Sequence, residues 1–130
     1  MRLKDIVTSI NDAVDALNYA AARKFIEDNF EMVYQHRHLL NNNAREIFKF
    51  VQKNMKSEEE PLTKEEIKTI MVINTYATKF DIRGLKLNVK GKEQLFLKKQ
   101  VVNYLNADAK ILLEGLGVIR QEEQLVKADS

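Results

Sequence analysis

Residues 3–17 have the sequence LKDIVTSINDAVDAL, and this stretch decides the fold class. Its apolar side chains recur every three or four residues, which places them on one face of a helix. These residues are Leu3, Ile6, Val7, Ile10, Ala13, Val14 and Leu17. The pattern therefore predicts an amphipathic first helix whose apolar face packs against further helices.

The same spacing continues on the C-terminal side. A second apolar stripe runs through residues 22–40, and we expect this helix to fold back on the first. Asn43, followed by Glu46, resembles a capping box and predicts the start of a third helix. The polar residues that follow this helix predict a linker at residues 56–62.

A stronger capping box follows the only proline. Thr63 and Glu66 have the required spacing and predict the start of a fourth helix. This helix is apolar on more than one face around residues 70–73, so it lies at the centre of a bundle or takes part in an interface. Both interpretations fit the sequence.

The period changes after the fourth helix. Apolar and polar residues alternate near residues 84–90, which is typical of a short strand. For residues 93–105 we expect a helix, with a returning strand over residues 93–99 as the alternative. A last helix is predicted from residue 106 or 107 to Glu114, before two glycines, and Val118 with Ile119 can still pack on the core.

The elements together predict a mainly α fold. We expect a single domain over residues 1–120, as a helical bundle or a short helical-repeat-like array of about five or six helices. One short β element near residues 84–90 is the exception to an all-helical chain. Residues 121–130 are expected to be a frayed tail.

Composition agrees with one globular domain. The chain has 130 residues, of which 45% are hydrophobic and 31% are charged, too apolar for a disordered protein. Cysteine is absent, which excludes disulfides and thiolate metal sites and favours the cytoplasm. We expect no targeting segment and no membrane span, because no apolar run approaches the required length.

The residue patterns of common enzymes are missing. The four glycines form no phosphate-binding loop. His36 and His38 diverge by about 200° on a helix, so they do not share a metal ion. We therefore predict no enzyme, no metal ligand and no cofactor. A small enzyme whose site assembles from distant residues is the second alternative to the function given below.

One helical hairpin resembles a known repeat. Tyr19, Ala22 and Ile26 have the spacing of the aromatic, small and large apolar positions of a tetratricopeptide repeat. Residues 6–34 thus resemble a single degenerate tetratricopeptide-like hairpin, in which isoleucines replace the family's tryptophan and glycine. A plain helical hairpin in a bundle has the same spacing.

The resemblance implies binding of a peptide or a partner helix. The contact residues that it suggests are Tyr19, Arg23, Tyr34 and Arg37. Our prediction is accordingly a non-catalytic interaction or regulatory module for an unknown partner protein. A homodimer and a monomer fit the sequence equally well.

A basic segment provides the alternative function. Basic side chains outnumber acidic ones within residues 79–110, which favours backbone-led binding of nucleic acid. The candidate contacts are Lys86, Lys90, Lys92, Lys98 and Lys99, with Phe96 and Tyr104 interleaved for base stacking. An ordinary solvated face rich in lysine explains the same composition.

Overall fold

The computed structural model describes residues 2–54 and 61–120. Within these two ranges the chain forms eight α-helices and no strand, which confirms the mainly α fold. The helices are α1 (Leu3–Asp15), α2 (Tyr19–Asp28), α3 (Phe30–Gln35), α4 (Asn42–Asn54), α5 (Lys64–Thr78), α6 (Ile82–Val89), α7 (Glu93–Leu97) and α8 (Ala107–Leu116). Short 3-10 helices follow α3 (Arg37–Leu39) and α7 (Lys99–Asn103). Most of the predicted linker, residues 56–60, and the predicted tail at residues 121–130 lie outside the described ranges.

The first helix is confirmed. Ile6, Ile10 and Val14 are buried on one face of α1, as the apolar spacing predicts. The helix ends before Leu17, which is buried and has a left-handed φ of 65°. Asn18 then caps α2 by accepting a hydrogen bond from the Ala21 N–H at 3.2 Å. The turn between the two helices is therefore tight and closed by a side chain.

The second predicted helix is divided in the structure. Asn29 interrupts it, because its side-chain amide donates to the Phe25 carbonyl at 2.9 Å and competes with the helical hydrogen bonds. A second break at His36 leads into the 3-10 helix. The prediction that Asn43 caps the third helix is wrong by two residues: Asn41 accepts the Ala44 N–H at 2.8 Å.

The predicted capping box of the fourth helix is confirmed. The Thr63 hydroxyl accepts the Glu66 N–H at 3.1 Å, and the Glu66 carboxylate accepts the Thr63 N–H at 2.9 Å. Ile70 and Ile73 of α5 are fully buried, whereas the side chains between them on the helix surface, such as Met71, are exposed. One side of α5 therefore belongs to the core, and its second apolar face lies at the surface.

The predicted strand near residues 84–90 is wrong, because this segment forms helix α6. Asp81 caps the helix by accepting the Gly84 N–H at 2.9 Å. Leu85 and Val89 are buried, while Leu87 between them is 67% exposed. A strand would place these three residues on the same face. Residues four apart share a face both in a strand and in a helix. In so short a run the two periods cannot be distinguished, and the strand prediction was therefore wrong.

The helix predicted over residues 93–105 is also interrupted. Lys98 has an extended backbone with ψ 135°, and it separates α7 from the second 3-10 helix. The last helix is confirmed from its Asn106 cap onward, and it ends at Gly117, which has a left-handed φ of 84°. Val118 and Ile119 pack into the core as expected.

All eight helices contribute to one core. The Gly117 carbonyl accepts the Ala20 N–H at 2.9 Å and so joins the end of α8 to the start of α2. Tyr19 lies inside this core, and its hydroxyl donates to the Val89 carbonyl at 3.0 Å. Within residues 2–54 and 61–120, no helix has the length and apolar character that crossing a bilayer requires.

Candidate partner-binding site

A groove of about 580 Å³ lies between α4 and the chain that follows α3. We call it the basic groove. Its lining residues are Gln35, Arg37, His38, Arg45, Phe48, Lys49 and Gln52. The break at His36 forms one wall, because it turns the 3-10 helix across the surface of α4. The basic groove thus depends on the interruption of a helix that the sequence pattern predicts to be continuous.

The other wall comes from the regular spacing of α4. Arg45, Lys49 and Gln52 lie three or four residues apart and therefore share one side of the helix. Buried Ala44 and Ile47 anchor the adjacent side of α4 in the core. Consequently this helix presents its basic residues to the groove in a fixed orientation.

Arg45 links the two walls of the basic groove by a hydrogen bond. Its guanidinium donates to the carbonyl of His38 at 3.0 Å, across the groove from α4 to the 3-10 helix. A guanidinium has five N–H donors, so this bond leaves most of its donors for a ligand. Arg45 therefore stabilises the groove and is also a candidate contact residue.

Stacked aromatic rings adjoin the groove through Phe48, which is one of its lining residues. The rings of Phe30 and Phe48 are nearly parallel, with centroids 5.3 Å apart. The ring of Tyr34 lies 6.2 Å from each of them. Phe48 is almost completely buried, whereas Tyr34 is 38% exposed at the surface. The three rings form a rigid apolar base with one exposed edge.

Arg37 is held at that exposed edge. Its guanidinium carbon lies 4.4 Å from the centroid of the Tyr34 ring, and one of its nitrogens donates to the Tyr34 carbonyl at 2.6 Å. Stacking on an aromatic ring leaves the edge of the guanidinium available for hydrogen bonds. The arrangement restricts a flexible side chain before any ligand arrives.

The electrostatics of the basic groove are one-sided. Arg37, Arg45 and Lys49 line it, and within residues 2–54 and 61–120 no carboxylate does. Lys49 lies 3.3 Å from Glu46, but both side chains are well exposed, so water screens this pair. The groove therefore presents cationic donors beside the buried Phe48 ring, and such donors suit carboxylates.

The four contact residues implied by the resemblance do not lie together. Arg37 lines the basic groove and stacks on Tyr34, which is not itself among the described lining residues. Tyr19 is fully buried, and its proposed contact with a partner is wrong. Burial first, and then the nearby Glu93 carboxyl, raise the pKa of Tyr19. Arg23 is not part of the groove lining: it pairs with Glu27 at 2.8 Å.

The five lysines of the basic segment are also dispersed. Lys86 and Lys90 line a pocket of about 220 Å³ together with Arg83. Lys92 lines a different cleft, and the amine of Lys98 is bound by Glu66 at 3.0 and 3.1 Å. Lys99 lies beyond that ion pair, at the start of the second 3-10 helix.

The two aromatic residues predicted to stack on bases beside these lysines differ in their exposure to solvent. Phe96 is only 3% exposed, so the prediction that it stacks on a base is wrong. Tyr104 is 41% exposed, and its carbonyl accepts a hydrogen bond from Asn74 at 2.9 Å. Interleaved aromatic residues in the sequence thus do not form a stacking surface with the lysines.

Comparison with known proteins adds no assignment. No family model, no curated protein and no solved structure matches the chain. Among residues 2–54 and 61–120, no three histidine, aspartate or glutamate side chains are grouped to hold a metal ion. The geometry of the site must therefore carry the functional argument.

Proposed function

We propose that the protein is a non-catalytic interaction module that binds an acidic segment of a partner protein in the basic groove. The observation that carries this proposal is the set of three cations, Arg37, Arg45 and Lys49, in a groove where none of the lining residues that the structure describes is a carboxylate. Such a groove attracts carboxylates and repels basic segments, which gives both affinity and selectivity.

The other lining residues favour a peptide as the ligand. Gln35 and Gln52 each offer an amide donor and an acceptor, which can pair with the backbone of an extended or helical segment. The Phe48 ring is the apolar part of the described lining that an acidic amphipathic segment can contact. A volume of about 580 Å³ accommodates a few side chains at once.

The lining residues also favour binding over catalysis. Those that the structure describes include no hydroxyl, thiol or carboxylate that would serve as a nucleophile or an acid. His38 and Lys49 are the described lining residues that can act as a base. A general base usually needs a partner that orients it, and no carboxylate among the described lining residues takes that role.

The experiment is a binding titration with charge-reversed protein. Fluorescence anisotropy follows a labelled Glu-rich peptide and its Gln-for-Glu counterpart. The test variant is Arg37→Glu with Lys49→Glu. Arg45 is left unchanged because its hydrogen bond also links the two walls of the groove. The control is Lys24→Glu with Lys68→Glu, the same charge change at lysines that are 76% and 75% exposed outside the groove.

The proposal predicts binding of the Glu-rich peptide that weakens as salt is added. The test variant should lose at least about tenfold in affinity, and the control variant should change much less. Equal affinities of both variants would contradict the proposal. A labelled oligonucleotide is titrated in parallel. Tight oligonucleotide binding that depends on Lys86 and Lys90, without peptide binding, would establish the nucleic-acid alternative.

A further inference from the structure

A second cleft, of about 290 Å³, lies where α4 and the first turn of α5 meet the start of α7. We call it the acidic cleft. Its charged lining residues are Glu46, Glu65, Glu66, Glu93 and Lys92. Carboxylates from three different helices therefore converge on one small opening.

Three of these carboxylates already have partners. Glu66 binds the amine of Lys98 and caps its own helix. Glu46 accepts the side-chain amide of Gln94 at 2.8 Å and pairs with Lys49. Glu65 lies 3.8 Å from Lys68, and both of these side chains are mostly exposed to water. None of the three needs a further ligand.

Glu93 is different. It lines the acidic cleft but is only 1% exposed, and neither carboxyl oxygen accepts a hydrogen bond from another residue. A buried polar group without a partner costs about 1 to 3 kcal/mol. Burial raises the pKa of Glu93, and the negative charge of Glu46 adds to this effect, whereas its own backbone N–H and Lys92 oppose it.

We propose that the acidic cleft binds one arginine side chain of a partner protein, whose guanidinium supplies the hydrogen bonds that Glu93 lacks. A guanidinium carries several donors in one plane and forms bidentate pairs with carboxylates. The volume of about 290 Å³ suits a single side chain. The carboxylates of the described residues are not grouped to hold a metal ion, which favours an organic cation.

Binding of the guanidinium is coupled to a proton. At any pH at which the Glu93 carboxyl is protonated in the free protein, it loses its proton to the solvent as the ion pair forms, so one positive charge enters and one leaves. The charged and titratable groups that face Glu93 are Tyr19 of α2, Glu46 of α4 and its neighbour Lys92. Glu66 of α5 is already neutralised by Lys98. Since the Glu93 oxygens expose no surface, the side chains above them must move when the ligand arrives.

The experiment is a titration of the isotope-labelled full chain, followed by the backbone amide signals in NMR spectra. The probe is N-acetyl-arginine amide, and its control is N-acetyl-citrulline amide, which has nearly the same shape without the charge. The test variant is Glu93→Gln. The matched control is Glu31→Gln, the same change at an exposed position outside the cleft.

The arginine amide should shift the signals of Gly91 to Leu95 in a saturable way, and the citrulline amide should not. Glu93→Gln should weaken arginine binding at least about tenfold, while Glu31→Gln leaves it unchanged. Calorimetry in buffers of different ionisation enthalpy should show proton release for the unaltered protein and none for Glu93→Gln.

Three results would overturn the proposal. The first is that Glu93→Gln binds the arginine amide with unchanged affinity. The second is that the shifted signals lie outside the cleft. The third is that agmatine binds in the cleft and the capped arginine does not, because the ligand would then be a free small cation and not a side chain. The titration uses no acidic peptide, so its outcome is independent of the basic groove.

Discussion

Replacing Tyr19 with phenylalanine should lower stability and leave partner binding unchanged. Tyr19 is fully buried, and its hydroxyl donates to the Val89 carbonyl at 3.0 Å. The Tyr19→Phe change removes this hydrogen bond and leaves a small gap in the core. A buried hydrogen bond contributes about 0.5 to 1.5 kcal/mol to the free energy of unfolding.

The expected cost lies near the middle of that range. The Val89 carbonyl also accepts the Lys92 N–H at 3.0 Å, so the substitution does not leave this oxygen without a partner. The penalty for an orphaned acceptor therefore does not apply, and we expect a loss of about 1 kcal/mol. For a chain of this size, such a loss lowers the melting temperature by about 4 °C.

Tyr34→Phe is the matched control, because it makes the same chemical change at a residue that is 38% exposed. Its ring stays stacked with Phe30 and Phe48, and we expect a change in stability within about 0.5 kcal/mol. Urea unfolding followed by circular dichroism measures both variants. Equal stability of the two variants would refute the structural role of the Tyr19 hydroxyl. A loss of partner binding in well-folded Tyr19→Phe would also refute it.

Four further predictions concern two glycine turns, a helix cap and a carboxyl group. Gly117→Ala should cost about 2 to 4 kcal/mol, because its φ is 84° and a Cβ would lie 2.3 Å from the capping oxygen of Asn18. Gly91→Ala has a similar φ of 81° but open space around it, so only about 1 to 2 kcal/mol should be lost in the same unfolding assay. Thr63→Ala removes half of the capping box and should cost about 1 kcal/mol, measured by thermal unfolding, and no loss would contradict the observed cap. The pKa of Glu93 is raised in the folded protein, so the folded state binds its proton more tightly than the unfolded state does. The resulting contribution to the free energy of unfolding is complete below the unfolded-state pKa of about 4.3 and is lost as pH rises through the folded-state pKa. The unfolding free energy of Glu93→Gln relative to the unaltered protein should therefore increase from pH 4 toward pH 8, and a pH-independent difference would contradict the burial of this carboxyl.

Local sequence patterns predicted the elements that depend on local contacts. The Thr63 capping box and the α1 stripe involve residues three or four apart, and both are confirmed. The Asn41 cap was missed because a distant residue selects it: the Asn41 N–H donates to the side chain of Asn11 at 2.9 Å. Lys98 breaks its predicted helix where it binds Glu66, 32 residues away in the chain. Such contacts leave no periodic signal in the sequence.

The candidate site shows the same division. The spacing of Arg45 and Lys49 on α4 is visible in the sequence, but it does not distinguish a groove wall from an ordinary solvated face. The missing information was the break at His36, which brings Arg37 across from α4. Tyr19 was misplaced for a related reason, because its hydroxyl finds its acceptor 70 residues away.

A charge swap tests the central claim most directly, because it requires a gain of binding as well as a loss. The variant with Arg37→Glu and Lys49→Glu is titrated with a Glu-rich peptide and with the matching Lys-rich peptide. If the basic groove binds acidic segments, the unaltered protein prefers the Glu-rich peptide and the variant prefers the Lys-rich one. If the variant keeps its preference for the Glu-rich peptide, acidic segments bind elsewhere and the proposed function is wrong.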